Sequence, residues 1–217
     1  MSTPRKMNVL IVDAQPVARF GLIHLLNAHG RFRVCGEAES APAARELCAR
    51  HRPDLAVLDL ALGDGFALLK EFPRWAPGIR VVAFTALDDA LSVQRALQAG
   101  AHGYVTRLDP AAELLTAIEC ALDGQRHVGP RVAHLLLDRL ACGSVEMRGS
   151  AEAALSDREL QIFRAIGRGL GTRAVAEELK VSVKTVETHR QRIKEKLRLK
   201  DGTDLQRRAV LFHHTAA

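Results

Sequence analysis

An open parallel α/β sheet followed by an all-helical domain is the fold class this sequence predicts. Residues 8–124 alternate short apolar runs with helix-length segments, whereas residues 155–213 carry helical patterns only. Charge divides the chain in the same way. Residues 1–150 hold 17 Lys and Arg against 16 Asp and Glu; residues 151–217 hold 14 against 9, so the basic excess lies at the C-terminal end.

The strands come first. Short apolar runs place them at Asn8–Asp13, Arg33–Glu37, Asp54–Asp59, Arg80–Thr85 and Gly103–Thr106. Between them, apolar residues recur at three and four spacing, the signature of one buried helix face. The helical segments are Ala18–Ala28 (Leu22, Leu25, Leu26), Ala41–His51 (Ala44, Leu47, Cys48), Asp88–Ala99 and Pro110–Asp123 (Leu114, Leu115, Ile118, Leu122). The alternation reads as five βα units, which implies a parallel sheet covered by helices on both faces, with right-handed crossovers. A further apolar helix is expected at about Arg131–Ala141; periodicity is then lost to Ala154. The boundaries expected are 1–126 for the α/β domain, 127–154 for a linker that includes this helix, and 155–217 for the helical domain.

That helical domain opens on Ser156-Asp157-Arg158-Glu159, a capping box before Leu160, Phe163 and Ile166. Gly167, Gly169 and Gly171 stop the helix. Thr172 opens a short one to Leu179, and Ser182 caps another that runs to about Leu197. Two helices joined by the tight turn Lys180-Val181-Ser182 fit a helix-turn-helix. Asp201-Gly202 breaks the chain, and Thr203-Asp204-Leu205-Gln206 reads as a second capping box, giving four helices.

No apolar run approaches the ~20 residues that span a bilayer, and the first one, Val9–Val12, is too short for a signal-peptide core. The expectation is a cytoplasmic protein with no membrane partner. Cys35, Cys48, Cys120 and Cys142 form no C-x-x-C pair and read as buried reduced thiols; Cys142, in the linker, is the candidate for a redox role. The basic C-terminal third points to a polyanion, nucleic acid first.

In an open parallel sheet, ligands bind beyond the carboxyl ends of the strands. Asp13 ends the first strand, Asp59 the third and Thr85 the fourth, and Arg107 follows the fifth. An acid, an acid, a hydroxyl and a cation thus converge on one pocket. Residues 8–124, with Pro53-Asp54-Leu55-Ala56-Val57-Leu58-Asp59-Leu60 and Gly100-Ala101-His102-Gly103-Tyr104-Val105, resemble a response-regulator receiver domain. Residues 155–213, with Leu155-Ser156-Asp157-Arg158-Glu159 and Lys184-Thr185-Val186-Glu187-Thr188-His189-Arg190, resemble the LuxR-type helix-turn-helix. Together they resemble a response regulator of the NarL/FixJ class. The resemblance implies a flavodoxin-like receiver with strand order 2-1-3-4-5. It implies Asp59 as the phosphoacceptor for a histidine kinase, Thr85 as the hydroxyl that turns toward the phosphoryl oxygen, and Tyr104 as the aromatic that swings inward with it.

Two positions depart from the pattern. Family members end the first strand on two acids, the second of which ligates Mg²⁺; here Asp13 is followed by Ala14. They carry a lysine after the fifth strand; here it is Arg107. Mg²⁺ is a hard six-coordinate ion held by carboxylates, phosphate and water, and an arginine fork pairs carboxylates more readily than a lysine does. The expectation is that Arg107 pairs with Asp59 and partly fills the cation's place, leaving weak Mg²⁺ binding at Asp13 and impaired phosphorylation. An ordinary phosphorelay that tolerates both departures is the alternative.

In the helix after Ser182, Val183, Val186, Ile193 and Leu197 are expected to pack inward. The family reads the major groove with the middle of this helix. The matching positions are Glu187, Thr188 and Gln191, residue types that can address cytosine N4 and adenine. Lys184, Thr185, Arg190, Arg192 and Lys194 are candidates for phosphate contacts; His189 is read as a packed neutral ring. Leu205, Ala209 and Phe212 share a face of the last helix, which in this class makes the dimer contact. The partners implied are double-stranded DNA, a second copy, and a histidine kinase or another regulatory partner. A protein-interaction receiver without DNA output is a further alternative. A metal-dependent hydrolase fits poorly, because Asp13 and Asp59 are too few ligands.

Overall fold

A computed structural model describes residues 5–141 and 151–216. The chain divides into two compact units, Met1–Leu137 and Asp138–Ala217.

In the first unit the strands are β1 (Met7–Val12), β2 (Phe32–Ala38), β3 (Leu55–Leu58), β4 (Arg80–Thr85), β5 (Gly103–Thr106) and β6 (His127–Val128). All neighbours are parallel, in the order β2-β1-β3-β4-β5-β6. The expected order is therefore present, with a sixth strand added at its edge. The helices are α1 (Pro16–Ala28), α2 (Ala41–His51), α3 (Gly65–Trp75), α4 (Ala90–Gln98), α5 (Ala111–Leu122) and α6 (Pro130–Ala141). Leu22, Leu26, Leu114 and Ile118 bury α1 and α5 against one sheet face. Ala44, Cys48, Phe66, Leu69, Phe72 and Val93 bury α2, α3 and α4 against the other. Two covered faces explain why β1 and β3 are apolar at consecutive rather than alternate positions.

Two elements were not placed from the sequence. Helix α3 carries Pro73 inside it, which removes a backbone donor and breaks the expected pattern. The helix expected at about Arg131–Ala141 is α6, but residues 127–137 belong to the first unit rather than to a linker: 127–128 form the unexpected β6, and Val132 is fully buried in that unit's core. The register of β1 against β2 shifts between Val9 and Leu10. Cys35 is the extra residue of that bulge, and its thiol donates to the Val9 carbonyl oxygen at 3.4 Å. Cys48 is buried, and burial pushes its thiol up to about 11, so it is protonated and inert at neutral pH. Cys120 is partly buried; Cys142 lies outside the described residues.

The second unit holds a 3-10 turn (Ala151–Ala154), α7 (Asp157–Gly167), α8 (Thr172–Glu178), α9 (Val183–Leu197) and α10 (Gly202–Ala216). The first capping box forms: Ser156 accepts from the Glu159 N–H, and Glu159 accepts from the Ser156 N–H at 2.7 Å. Lys196 also donates to Glu159, at 2.6 Å. Burial works against the Glu159 charge, but these bonds hold its carboxyl below the usual range. The second capping box does not form. Asp201, two residues before Thr203, caps α10 instead: its carboxylate accepts from the N–H groups of Thr203 and Asp204 at 2.8 and 2.9 Å. The α8–α9 turn rests on Lys180 at φ 52°, a left-handed residue that ends α8 as a C′ glycine usually does.

Leu205 and Ala209 are fully buried, and the Phe212 ring lies 5.6 Å from that of Phe163. This face of α10 is thus spent on α7. Gly167 marks the close approach: a Cβ there would lie 2.5 Å from the Ala209 carbonyl oxygen. Gly167→Ala is expected to destabilise the helical unit by about 1–3 kcal/mol, read as lost amide-exchange protection in α7 and α10.

Candidate functional site

The sheet brings two acids to the same height. Val12 pairs with Leu58 at the ends of β1 and β3. Asp13 and Asp59 follow, and the ladder continues through them: the Asp13 N–H donates to the Ala38 carbonyl and the Asp59 N–H to the Val12 carbonyl, each at 2.9 Å. Both are buried, at 1% and 4% exposed. Thr85 ends β4, fully buried, and its hydroxyl oxygen accepts from the Leu87 N–H at 3.4 Å. Tyr104 lies inward in β5, with no exposed surface, and its hydroxyl donates to the Leu87 carbonyl at 2.7 Å.

Arg107 closes the pocket. Its backbone N–H donates to the Thr85 carbonyl at 2.9 Å, and its guanidinium lies 5.5 Å from the centre of the Phe84 ring. One nitrogen, Nη2, donates both to Asp13 Oδ2 and to Asp59 Oδ2, the latter at 3.0 Å. The other carboxylate oxygens are also held. Asp13 Oδ1 accepts from the Gln15 N–H at 2.7 Å, and Asp59 Oδ1 from the Ala61 N–H at 2.9 Å. Arg107 Nε is buried with no partner among the described residues. Burial pushes the Asp13 carboxyl above its usual range, while the Gln15 N–H and the Arg107 charge pull it down. Two carboxylates facing one guanidinium leave the buried site one negative charge in excess.

Mg²⁺ requires six oxygen donors in near-octahedral array. Ala14 stands exposed at the rim and offers none from its side chain. The two carboxylate oxygens that face each other already share the Arg107 nitrogen. Among the described residues no group of three His, Cys, Asp or Glu is placed to hold a metal ion. These side chains, as arranged, do not fit a divalent cation.

Two neighbours of the pocket were missed from the sequence. Arg19 on α1 donates to the Asp13 carbonyl at 2.6 Å and pairs with Glu37 at 3.5 Å. Asp109, two residues beyond Arg107, accepts from the Thr106 N–H and hydroxyl, both at 2.8 Å, and from the Arg131 N–H in the first turn of α6 at 3.3 Å. Asp109 follows a strand in a tight loop, where no periodicity announces a role; Arg19 lies within α1, whose spacing gives its face but not the carbonyl it reaches.

In the second unit, Val186 and Ile193 of α9 are fully buried and Leu197 partly so. Val183, expected inward, is 40% exposed. It is the first residue of the helix and precedes the turn that meets the core. Lys184, Glu187, Thr188 and Gln191 stand at i, i+3, i+4 and i+7, which puts them on one face, opposite Val186 and Ile193, and all four are exposed. Arg192 is exposed; Thr185, Arg190 and Lys194 are half-buried on the flanks. Some of these groups are engaged locally. Ser182 caps α9 through the Thr185 N–H, Thr188 donates to the Lys184 carbonyl at 2.9 Å, and the Gln191 amide donates to Glu195 at 2.9 Å. Glu195 thus joins the exposed face, unforeseen from the sequence. His189 is half-buried with Nδ1 unpartnered among the described residues. Burial, with Arg192, Arg158 and Lys196 nearby, outweighs Glu159 and lowers its pKa, consistent with a neutral packed ring.

Comparison with known proteins follows this division. Residues 9–119 match the family model described as "Response regulator receiver domain", and residues 153–209 the one described as "Bacterial regulatory proteins, luxR family". The chain is 34% identical to the "Probable transcriptional regulatory protein NarL" of Mycobacterium tuberculosis, over 91% of each chain. It is 31% identical to the "Oxygen regulatory protein NreC" of Staphylococcus epidermidis, over 92% of this chain and 94% of that one. Its fold is also that of RcsB from Salmonella enterica serovar Typhimurium, solved bound to promoter rprA, with a TM-score of 0.64 at 23% identity over 94% of this chain and 98% of that one. The protein therefore belongs to the two-component response regulators of the NarL/FixJ class, which join a receiver domain to a LuxR-type DNA-binding domain.

Proposed function

We propose that this response regulator binds DNA sequence-specifically through α9, while its receiver is impaired in Mg²⁺-dependent phosphorylation and is controlled in another way. The Arg107 nitrogen shared by Asp13 and Asp59 carries this reading. A phosphoryl group entering Asp59 brings further negative charge into a buried site already one charge in excess. The cation that neutralises such charge during transfer has no ready seat, because Arg107 stands between the acids and Ala14 supplies no ligand. Asp59 is held by Arg107 and by the Ala61 N–H rather than left free as a nucleophile. Control then falls to a partner protein, a small ligand or abundance. A second reading, ordinary transfer from a histidine kinase to Asp59, is favoured by Thr85 and Tyr104 standing where that switch needs them.

On the DNA side, Glu187, Thr188 and Gln191 address base edges, and Lys184, Thr185, Arg190, Arg192 and Lys194 the phosphates. The chain acts as a homodimer in the cytoplasm and is not an enzyme. RcsB, which has the same fold, is solved bound to promoter rprA and as dimers bound to DNA, which supports the dimeric, DNA-bound form, and no described helix is long and apolar enough to cross a membrane. Selection from random duplexes tests this reading. Wild type is expected to recover two half-sites about 10 bp apart. Gln191→Ala is expected to lose about 1–3 kcal/mol of discrimination at one position of each half-site. Arg192→Ala should weaken all duplexes alike and lower the salt slope by about 1. Recovery of no common sequence by wild type overturns the reading.

A further inference from the structure

The first unit's near-neutral charge hides a polarity. Residues 1–137 hold 15 Lys and Arg against 14 Asp and Glu. The acids Asp13, Glu37, Asp59, Asp88, Asp89 and Asp109 stand at or just beyond the carboxyl ends of the strands. The opposite edge, where the strands begin, is cationic. In sheet order it carries Arg33 in β2, Lys6 before β1, Arg52 before β3, Arg80 opening β4 and Arg126 before β6; His102, before β5, is not a cation of the row, because burial and the charges of Arg80 and Arg126 lower its pKa. With strands about 4.8 Å apart, six strands form a row roughly 24 Å long.

These cations are not neutralised by neighbours. Lys6, Arg33, Arg52 and Arg126 are exposed and pair with no acid among the described residues. Asp54 and Glu119 at this edge are already taken by Arg5 and Arg31, at 3.3 and 2.8 Å. Asp123, the C-cap of α5, and Glu71, near the C-terminal end of α3, also lie toward this edge. Arg80 is half-buried, and its guanidinium meets an imidazole rather than an acid: Nη1 lies 2.9 Å from His102 Nε2. Helix C-termini favour nearby cations, which accounts for Arg52 at the C-cap of α2. It does not account for Arg33, Arg80 or Arg126, which sit at strand starts.

We infer that this cationic edge of the receiver sheet is a second DNA contact, one that holds backbone phosphates of duplex flanking the α9 site. A row of ~24 Å matches about seven base pairs at 3.4 Å each. Charge complementarity selects the polyanion, and the chain's own helix-turn-helix selects DNA among polyanions, because tethering presents a bound duplex at high effective concentration. The contact reads no sequence; it lengthens the footprint and steepens the salt dependence.

This inference rests on α9 binding DNA, and the test separates the two. The probe is a 40-bp mixed-sequence duplex, with binding by the full chain measured between 50 and 200 mM salt. Three proteins are compared: wild type, the edge variant Arg33→Gln/Arg52→Asn/Arg80→Gln/Arg126→Gln, and the helix variant Lys184→Ala/Arg192→Ala. Each lost phosphate contact lowers the log–log salt slope by about 0.9, so the edge variant is expected to fall by about 2–3. The charge-preserving variant with lysine at all four positions should retain the wild-type slope, which excludes misfolding as the cause. A wild-type slope in the edge variant, with a reduced slope in the helix variant, overturns the edge contact and leaves α9 standing. A fall in the edge variant alone sinks the α9 reading and overturns this inference with it, because the edge would then hold duplex without a flanking α9 site. Failure of wild type to bind the duplex at all overturns both.

Discussion

Incubated with acetyl phosphate and Mg²⁺, the wild-type chain is expected to gain no phosphate by intact mass, whereas Ala14→Asp/Arg107→Lys gains one that Asp59→Asn abolishes. The reason is the charge count around Asp59. Wild type offers two buried carboxylates and a guanidinium shared between them. Restoring a carboxylate at position 14 returns a metal ligand. Replacing the arginine fork with a lysine returns a point charge on a flexible stem, which can move to the phosphoryl oxygens instead of bracing the acids. Removing one preorganised charge-stabilising group from a reacting site costs roughly 10²-fold in rate. Two such changes made together should therefore separate the proteins by at least that factor. The single variants divide the cause. If Arg107→Lys alone restores labelling, the guanidinium is the obstacle; if only Ala14→Asp does, it is the missing ligand. Mg²⁺-dependent labelling of wild-type Asp59 at the rate of the double variant sinks the proposal and returns the protein to the ordinary phosphorelay.

How much of this pocket could be read beforehand is uneven, for physical reasons. Asp13, Asp59, Thr85 and Arg107 were legible because strand ends are legible, and the topology of a parallel sheet gathers its carboxyl ends. Pairing of Arg107 with Asp59 followed from charge. Its simultaneous hold on Asp13 did not, since that depends on how far a side chain three strands away reaches across the ends of β4 and β3. The helices were legible where an apolar stripe was unbroken, as in α5 and α7. They were not where Pro73 interrupted α3. The two-residue β6 has no local signal; only pairing with β5 makes it a strand. In the second unit the periodicity of α9 was right in its middle and wrong at Val183, because a repeat of 3.6 says which residues share a face and not where the core stops. The missed cap has a similar cause. Asp201 and Thr203 are both good N-cap residues, and only the backbone decides which of them precedes the first helical turn.

Arg107→Met is expected to destabilise the receiver more than any other single change at the site, by about 3–5 kcal/mol, the cost of leaving buried charge unpaired. The sequence holds one tryptophan, Trp75 at the end of α3. Its fluorescence during urea unfolding therefore reports the first unit without interference from the second. The companion variant is Asp13→Asn. An asparagine keeps one oxygen, enough for the Gln15 N–H but not also for the guanidinium, and it removes the one negative charge in excess. The lost bond and the relieved repulsion oppose each other, so Asp13→Asn should lie near wild-type stability at pH 7, well above Arg107→Met. The pH dependence distinguishes this from simple repacking. Asp13 is held above its ordinary pKa of 3.8, burial being the largest cause. Between 3.8 and the raised value, the folded chain binds a proton that the unfolded chain has released. Stability contributed by this group is full below that window and is lost as pH rises through it. Asp13→Asn should remove that loss and Arg107→Met should enlarge it, because without the cation Asp13 and Asp59 repel. Millimolar Mg²⁺ should recover part of the loss in Arg107→Met, where the acids are free to take a cation, and change wild type little. If Arg107→Met proves as stable as wild type at pH 7 in the presence of EDTA, the guanidinium is not what balances the acids. Its position would then have to be explained by packing on Phe84 alone.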